Sequence, residues 1–402
     1  MVQRPRILFL QRAVPPEHSA AGSLAFDLAA SLAADGFEVC LLGTRTSDSI
    51  AEREVCDGVE IVRVRVPAFK RSSLLSRAAA LPRTWLALLR GALACPRPNI
   101  FVTLSDPPLA VCAGALLARL RGCAHVHWCQ DLYPDVAAAA GLMRSDGVIF
   151  RILQKASLKA LRSCSRVVAV GRCMQSHLSE AGVDRCALVT NWSRLPACPE
   201  AARATETPFT VLYSGNLGRA HDFEGINAAN EILVSQQSPA RIVVRGDGPC
   251  RAAVHVELLP PVPWRDVPAT LASAGAHLIT LRSEFSGLVV PSKLYDISAS
   301  GRPILFAGPR NCECAYAIEE AGMGLVVPDR DGRALAAAIS RLCASPELAR
   351  SMGEAALKFH AANRREPAVA AFSRILLEAL SLPWSMRFLV AVTLFTLFGI
   401  SS

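Results

Sequence analysis

Twice along this chain, short apolar runs alternate with longer helical stretches, and this alternation constrains the fold more than any other feature. Strands buried on both faces need helices on both sides, so the pattern specifies parallel sheets covered by helices. Ile7–Leu10 reads as a first strand, Ser23–Ala34 as a helix apolar on one face, Gly36 as its stop and Phe37–Leu42 as the next strand. That is one right-handed β-α-β unit. Val59–Val66, Ile100–Leu104, His125–Trp128 and Val167–Val170 continue the series, with a basic helix between Arg144 and Arg166. Pro196–Pro208 lacks periodicity and reads as a linker. A second series follows: Thr210–Ser214, Ala240–Val244, His277–Leu281, Ile304–Ala307 and Gly324–Val327, closed by helices Ala334–Leu342 and Ser345–Ala362. The expected architecture is α/β, two Rossmann-like doubly wound domains facing a central cleft. Residues 1–196 form the first, 197–208 the linker, 209–366 the second and 367–402 a helical tail; 402 residues suit two domains of ordinary size.

The charge is unevenly spread. Residues 1–200 hold 24 Lys and Arg against 16 Asp and Glu, which is nearly all of the net +9. A basic first half favours an anionic partner, a membrane surface or phosphate groups. Nucleic acid is not expected, because zinc-finger spacing, a base-stacking motif and a basic tail are all missing. Leu74–Leu93 carries Arg77, Arg83 and Arg90 among leucines and Trp85; Arg83 and Arg90 share one helical face, as in a helix that lies on lipid, although Pro82 should kink or split it. The 14 cysteines are scattered without metal spacing and read as free thiols, and no secretory segment opens the chain. Phe388–Ile400 is apolar but spans only about 20 Å as a helix, against about 30 Å of hydrocarbon. A buried last helix, an interfacial anchor and part of a membrane span are its three readings.

Three glycine-bearing loops sit where open α/β sheets bind anions, beyond strand ends and at helix starts. They are the loop holding Gly22, the loop Gly215-Asn216-Leu217-Gly218-Arg219, and the loop Arg245-Gly246-Asp247-Gly248-Pro249. Glycine lets backbone approach a phosphate, and Arg219 adds charge. Neither G-x-G-x-x-G after the first strand nor G-x-x-x-x-G-K-[ST] occurs, so dehydrogenase and P-loop readings fall. The strongest local signal is Glu284–Asp296, followed by Gly301-Arg302-Pro303. Pro291 and Ser292 can start a helix, with Ser292 its cap, placing Lys293 at an anion-receptive end and Asp296 one turn on, within reach of ribose hydroxyls.

The assembled pattern resembles glycosyltransferase family 4, of GT-B fold, and within it bacterial enzymes of cell-surface polysaccharide synthesis with a V-P-S-K-x-Y segment. Ser105-Asp106-Pro107-Pro108, Gln130–Asp135, Asn191-Trp192, Tyr213–Asn216, Gly246-Asp247-Gly248 and Val290–Tyr295 carry the likeness, in that order. The resemblance implies retaining transfer of a hexosyl or N-acetylhexosaminyl group from a nucleoside-diphosphate sugar, with no cofactor and no essential metal. In relatives an E-x7-E pair contacts the donor. Glu284 fits its first position; the second is Ser292 by spacing or Asp296 by the following A-x-G-R-P context, and Asp296 is preferred because it is a carboxylate. Relatives' Arg and Lys for the diphosphate are replaced here by Asn216 and, near the Lys position, His221, which shifts phosphate neutralisation to Arg219 and Lys293.

The donor set is therefore Gly22, Gly215, Asn216, Arg219, Gly246, Ser292, Lys293 and Asp296, with Glu284 catalytic. On the acceptor side, His127, Asp131 and Asp135 lie at or just beyond a strand end. Asp131 is the preferred base, His127 a second catalytic candidate that reads equally as a buried strand histidine, and Asp135 a helix cap. The expected acceptor is a polyprenyl-diphosphate-linked saccharide at the inner face of the cytoplasmic membrane, which the basic first domain would touch. Two rivals remain: a nucleotide-sugar 2-epimerase on the same scaffold, and a non-catalytic nucleotide-sugar-binding homologue.

Overall fold

The computed structural model describes residues 4–17, 19–67, 74–198 and 209–381, and of 74–80 only the backbone. The chain divides into two compact units. One comprises Met1–Val170, Gln175–Val189 and Val369–Ser402; the other comprises Gly171–Met174 and Thr190–Ala368. The apolar run Phe388–Ile400 and most of the expected linker lie outside the described residues.

The first unit is built from strands β1 (Arg6–Leu10), β2 (Glu38–Arg45), β3 (Arg53–Cys56), β4 (Val59–Arg65), β5 (Ile100–Leu104), β6 (Ala124–Cys129), β7 (Arg166–Ala169) and β8 (Cys186–Leu188). Helices α1 (Ala20–Ala34), α2 (Leu74–Ala94), α3 (Ala110–Arg121), α4 (Asp135–Ala139), α5 (Val148–Ser163) and α6 (Arg172–Glu180) connect them, the first three residues of α6 being grouped with the second unit. The sheet order is β3-β4-β2-β1-β5-β6-β7-β8, parallel except for the β3–β4 hairpin. One face packs Leu8, Leu10, Leu42 and Phe101 against Leu88, Ala92 and Leu117 of α2 and α3. Each such side chain taken from water contributes about 1.5–3 kcal/mol. Pro82 does not split α2, one of the two outcomes expected from sequence, because Trp85, Leu88, Leu89 and Ala92 beyond the proline are held by this core. Tertiary burial outweighs the local breaker.

The second unit comprises β9 (Phe209–Ser214), α7 (Phe223–Ser235), β10 (Ala240–Arg245), β11 (Glu257–Leu259), α8 (Val267–Ala272), β12 (Ala276–Thr280), α9 (Lys293–Ser298), β13 (Ile304–Ala307), α10 (Glu313–Ala321), β14 (Gly324–Val327), α11 (Gly332–Ala344) and α12 (Pro346–Ala362). Its sheet, β11-β10-β9-β12-β13-β14, is wholly parallel. α7 and α11 cover one face with Phe223, Ile226, Leu335 and Ile339, and both start on aspartate caps, Asp222 and Asp331. A last helix, α13 (Arg365–Ser381), begins in the second unit and continues into the first. In both sheets the order reverses beside the first strand of the unit, between β1 and β5 and between β9 and β12. A doubly wound sheet offers its ligand crevice beyond the carboxyl ends at that reversal.

Candidate active site

The second reversal point is where the glycine loops meet. Gly215 follows β9 with φ +139°, and Gly246 follows β10 with φ +152°. Both values are costly for any residue with a Cβ. A methyl on Gly246 would lie 1.9 Å from the Gly215 carbonyl oxygen, so these loops touch backbone to backbone. Lys293, first residue of α9, reaches up beneath them. Its Nζ lies 3.7 Å from the centre of the Tyr213 ring and 3.2 Å from where a Cβ on Gly215 would stand. That nitrogen is buried and has no hydrogen-bond partner among the described residues. Burial pushes its pKa down to about 7. Asn216 and Arg219 are exposed on the same loop, and the Asn216 carbonyl accepts from the Tyr213 hydroxyl at 2.8 Å. A buried, unpartnered amine under a glycine loop is poised to receive an anion, since a negative partner would stabilise the protonated form that burial disfavours.

Glu284 lies in the loop after β12, on the other side of the same reversal point. Its carboxylate accepts from Arg330 at 2.6 Å and from Arg282 at 3.3 Å, and the Arg330 bond above all holds its pKa down to about 2. Arg282 also donates to the Arg219 carbonyl at 3.3 Å. These two arginines were not anticipated. Arg282 was legible as a cation just past a strand end, whereas Arg330 is 46 residues from Glu284 and only the topology joins them. Asp296, the preferred second carboxylate, is engaged elsewhere. Its Oδ1 accepts from Ser193 Oγ and the Arg194 amide, both at 3.1 Å, anchoring the segment after β8. Ser292 stands at the cap position of α9, but its side chain makes no capping bond. His221 is half-buried and donates Nδ1–H to the Thr280 carbonyl at 2.7 Å. Burial, with Lys293 nearby, drives its pKa to about 3, so it supplies no positive charge.

In the first unit, His127 and Asp131 line one small recess beyond β6, together with Ser105, Cys129, Tyr133 and apolar neighbours. Ser105 Oγ accepts from the Gln130 and Asp131 amides at 3.0 and 3.1 Å, which fixes the turn carrying the carboxylate. Burial, helped by Asp106, lifts the Asp131 pKa to about 6. Asp106 itself pairs with Arg12 at 2.9 Å, tying the loops after β1 and β5. Asp135 opens α4 and accepts from Gln154 at 2.7 Å. Gly22 belongs to packing: its amide donates to the Ser19 cap at 3.0 Å, and a methyl there would strike the Ala13 carbonyl at 2.0 Å. Among the described residues no group of His, Cys, Asp and Glu is arranged to hold a metal ion.

Residues 20–192 match the glycosyl transferase 4-like domain. WbjE of Pseudomonas aeruginosa, a probable glycosyltransferase, is 26% identical over 305 residues, covering 69% of this chain and 75% of WbjE. WcaI of Escherichia coli K12, named as a putative colanic acid biosynthesis glycosyl transferase, is 24% identical over 266 residues, 60% of this chain and 65% of WcaI. Among solved structures, sucrose-phosphate synthase from Thermosynechococcus elongatus superposes with a TM-score of 0.74 at 16% identity, over 93% of this chain and 99% of that one. Anabaena HepE in complex with UDP-glucose gives 0.65 at 13% identity, over 94% and 99%. The chain has the GT-B fold and is similar in sequence to these glycosyltransferases.

The surface of the first unit has one further feature. Val148, Ile149 and Ile152 of α5 are 61–70% exposed, and Arg151, Lys155 and Lys159 stand beside them on the same solvent-facing side. In α2, by contrast, Trp85, Leu88 and Leu89 pack against the core, leaving Arg83, Leu86, Arg90 and Leu93 outside. Trp85, Leu88 and Leu89 of the face expected to meet lipid are spent on the sheet, whereas Leu81, Leu86 and Leu93 stay exposed. Among the described residues no helix is long and apolar enough to cross a membrane.

Proposed function

We propose that this protein transfers a sugar, with retention of configuration, from a nucleoside-diphosphate sugar to a lipid-linked saccharide in surface polysaccharide synthesis. The observation that carries the reading is Lys293: a buried amine that touches the Tyr213 ring but has no hydrogen-bond partner among the described residues, beneath two interlocked glycine turns, at the reversal point of a parallel sheet. As the glycosidic bond breaks, negative charge grows on the departing diphosphate. A cation and amide dipoles fixed there stabilise that state more than the bound donor. Gly215, Asn216, Gly246 and Ser292 would frame the diphosphate, and Arg219 would lie at its edge. Glu284, released from Arg282 and Arg330, would face the sugar, and Asp296 would act by holding the Ser193–Arg194 segment. The donor class is supported by HepE, which was solved in complex with UDP-glucose.

On the acceptor side, Asp131 is the proposed base, its raised pKa suited to taking a proton near neutrality. The apolar and basic surface of α5 suits an anionic lipid surface, where residues such as Ile149 enter the acyl boundary and Lys155 meets headgroups.

The test is a thermal-shift and calorimetric screen against UDP, GDP, UDP-glucose, UDP-N-acetylglucosamine and GDP-mannose. A ligand at 100 times its dissociation constant adds about 2.7 kcal/mol, and Lys293→Met should abolish the gain. Absence of any shift, or a bound nucleotide located in the first unit, overturns the donor site. Products formed from donor alone would point to epimerisation instead, and an inverted anomeric centre would refute retention.

A further inference from the structure

Behind the recess in the first unit lies a buried row of side chains that the proposed transfer has not used. Thr103 on β5 sits opposite His127 on β6, and His125, two residues earlier, faces the same side of the sheet. The Thr103 hydroxyl is 2.9 Å from Nε2 of His125 and 2.9 Å from Nδ1 of His127. Nδ1 of His125 is 3.4 Å from Cys164 Sγ, which is itself 3.4 Å from the Ala160 carbonyl. Gly114 of α3 closes over the group, where a methyl would meet His125 Nε2 at 2.4 Å.

Proton counting gives this row a direction. The Cys164 thiol donates to the Ala160 carbonyl, which also accepts from Ser163 Oγ at 2.7 Å. The sulfur then offers only lone pairs, and His125 carries its proton on Nδ1. A neutral imidazole has one such proton, so Nε2 of His125 accepts the Thr103 hydroxyl. Thr103, its only proton spent, accepts from Nδ1–H of His127. Burial keeps both rings neutral, with pKa values of about 3. Nε2 of His127 is therefore a bare lone pair.

We infer that Thr103, His125 and Cys164 are positioning residues that fix the His127 tautomer, so that Nε2 accepts a hydrogen bond from a sugar hydroxyl seated beside Asp131. The inference rests on the transfer reading and gives its acceptor side a specific contact. The recess holds little more than one water-sized group, which suits a single hydroxyl oxygen and not a sugar ring. His127 is too weak a base to take the proton itself. It orients the hydroxyl while Asp131 receives the proton as the new glycosidic bond forms and the nucleoside diphosphate leaves.

The tautomer is read directly in the full chain labelled with 15N-histidine, by long-range 1H–15N spectra. His127 should be protonated on Nδ1 and bare on Nε2. Thr103→Val should mix or invert this signature, whereas Thr103→Ser and Cys164→Ser, which keep the donor order, should restore or preserve it. An Nε2-protonated His127 in the unmodified protein, or a tautomer indifferent to Thr103→Val in a folded variant, overturns the proposal. Methyl glycosides of glucose, galactose and mannose then serve as hydroxyl probes. At least one should move the Nε2 resonance in the unmodified protein and in Thr103→Ser, and no movement with any of them overturns the hydroxyl contact. Nucleotide-sugar binding is measured separately by calorimetry, so that failure is distinguishable from a failure of the transfer reading.

Discussion

Lys293 and Asp131 are half-buried residues whose ionisable groups are both shifted by desolvation, yet they work in opposite senses. The lysine is pushed below its ordinary range to about 7, so between pH 7 and 10.5 the unfolded chain binds more protons than the folded one. Stability therefore rises with pH across that window, and Lys293→Met should flatten the rise in urea melts. A diphosphate arriving beside Nζ should draw a proton onto it. Calorimetry of UDP binding near pH 8 in buffers of different ionisation enthalpy should show net proton uptake, absent in the methionine variant. Asp131 is raised to about 6, so its charged form is the disfavoured one, and stability falls as pH climbs from about 4 to 6. Asp131→Asn should leave the protein at least as stable at pH 7.5 by thermal melt, while lowering sugar transfer by at least about 100-fold. Lys293 and Asp131 were both readable from sequence, one in a V-P-S-K segment and the other just past a strand end. The partners of Glu284 were not, because no local pattern foretells that residue 330 returns to residue 284.

At the scale of elements, periodicity exposed the long members of both series, and their observed limits lie close to the runs read from sequence. It missed β3, β8 and β11, which are short and have no buried residue, so they show no apolar run. It also left α2 open between a kink and a split, where a proline argued locally and the core argued globally. The contact of the Gly215 and Gly246 turns could not be read either, since spacing shows glycines but not which carbonyl each one faces. Gly246→Ala forces a methyl into the Gly215 carbonyl and should cost about 2 kcal/mol or more in denaturant unfolding, with loss of UDP binding. On α5, charged substitutions test the lipid-facing surface. Ile149→Asp with Ile152→Asp should weaken sedimentation with phosphatidylglycerol vesicles by about tenfold or more, with the melting temperature little changed, because both side chains already stand in water.

For the molecule as a whole, two sheets with separate cores make ligand effects separable. In scanning calorimetry a nucleoside diphosphate should raise the transition of the unit containing Lys293, and an equal rise in melting of the other unit alone would contradict the donor assignment. The doubly wound character of both halves was plain from alternation, but the path of the last helix was not. α13 leaves the second unit at Ala368 and supplies Val369 onward to the first, where Phe372 packs edge-on against Trp128 at 5.0 Å. The core of the first sheet is thus completed by residues that follow the whole second unit in the chain. On a ribosome, its hydrophobic interior stays open while the whole second unit is translated, and Phe372 reaches the Trp128 ring only after that. A fragment ended before that helix would carry the same gap permanently, and such pieces should cling to chaperones or aggregate.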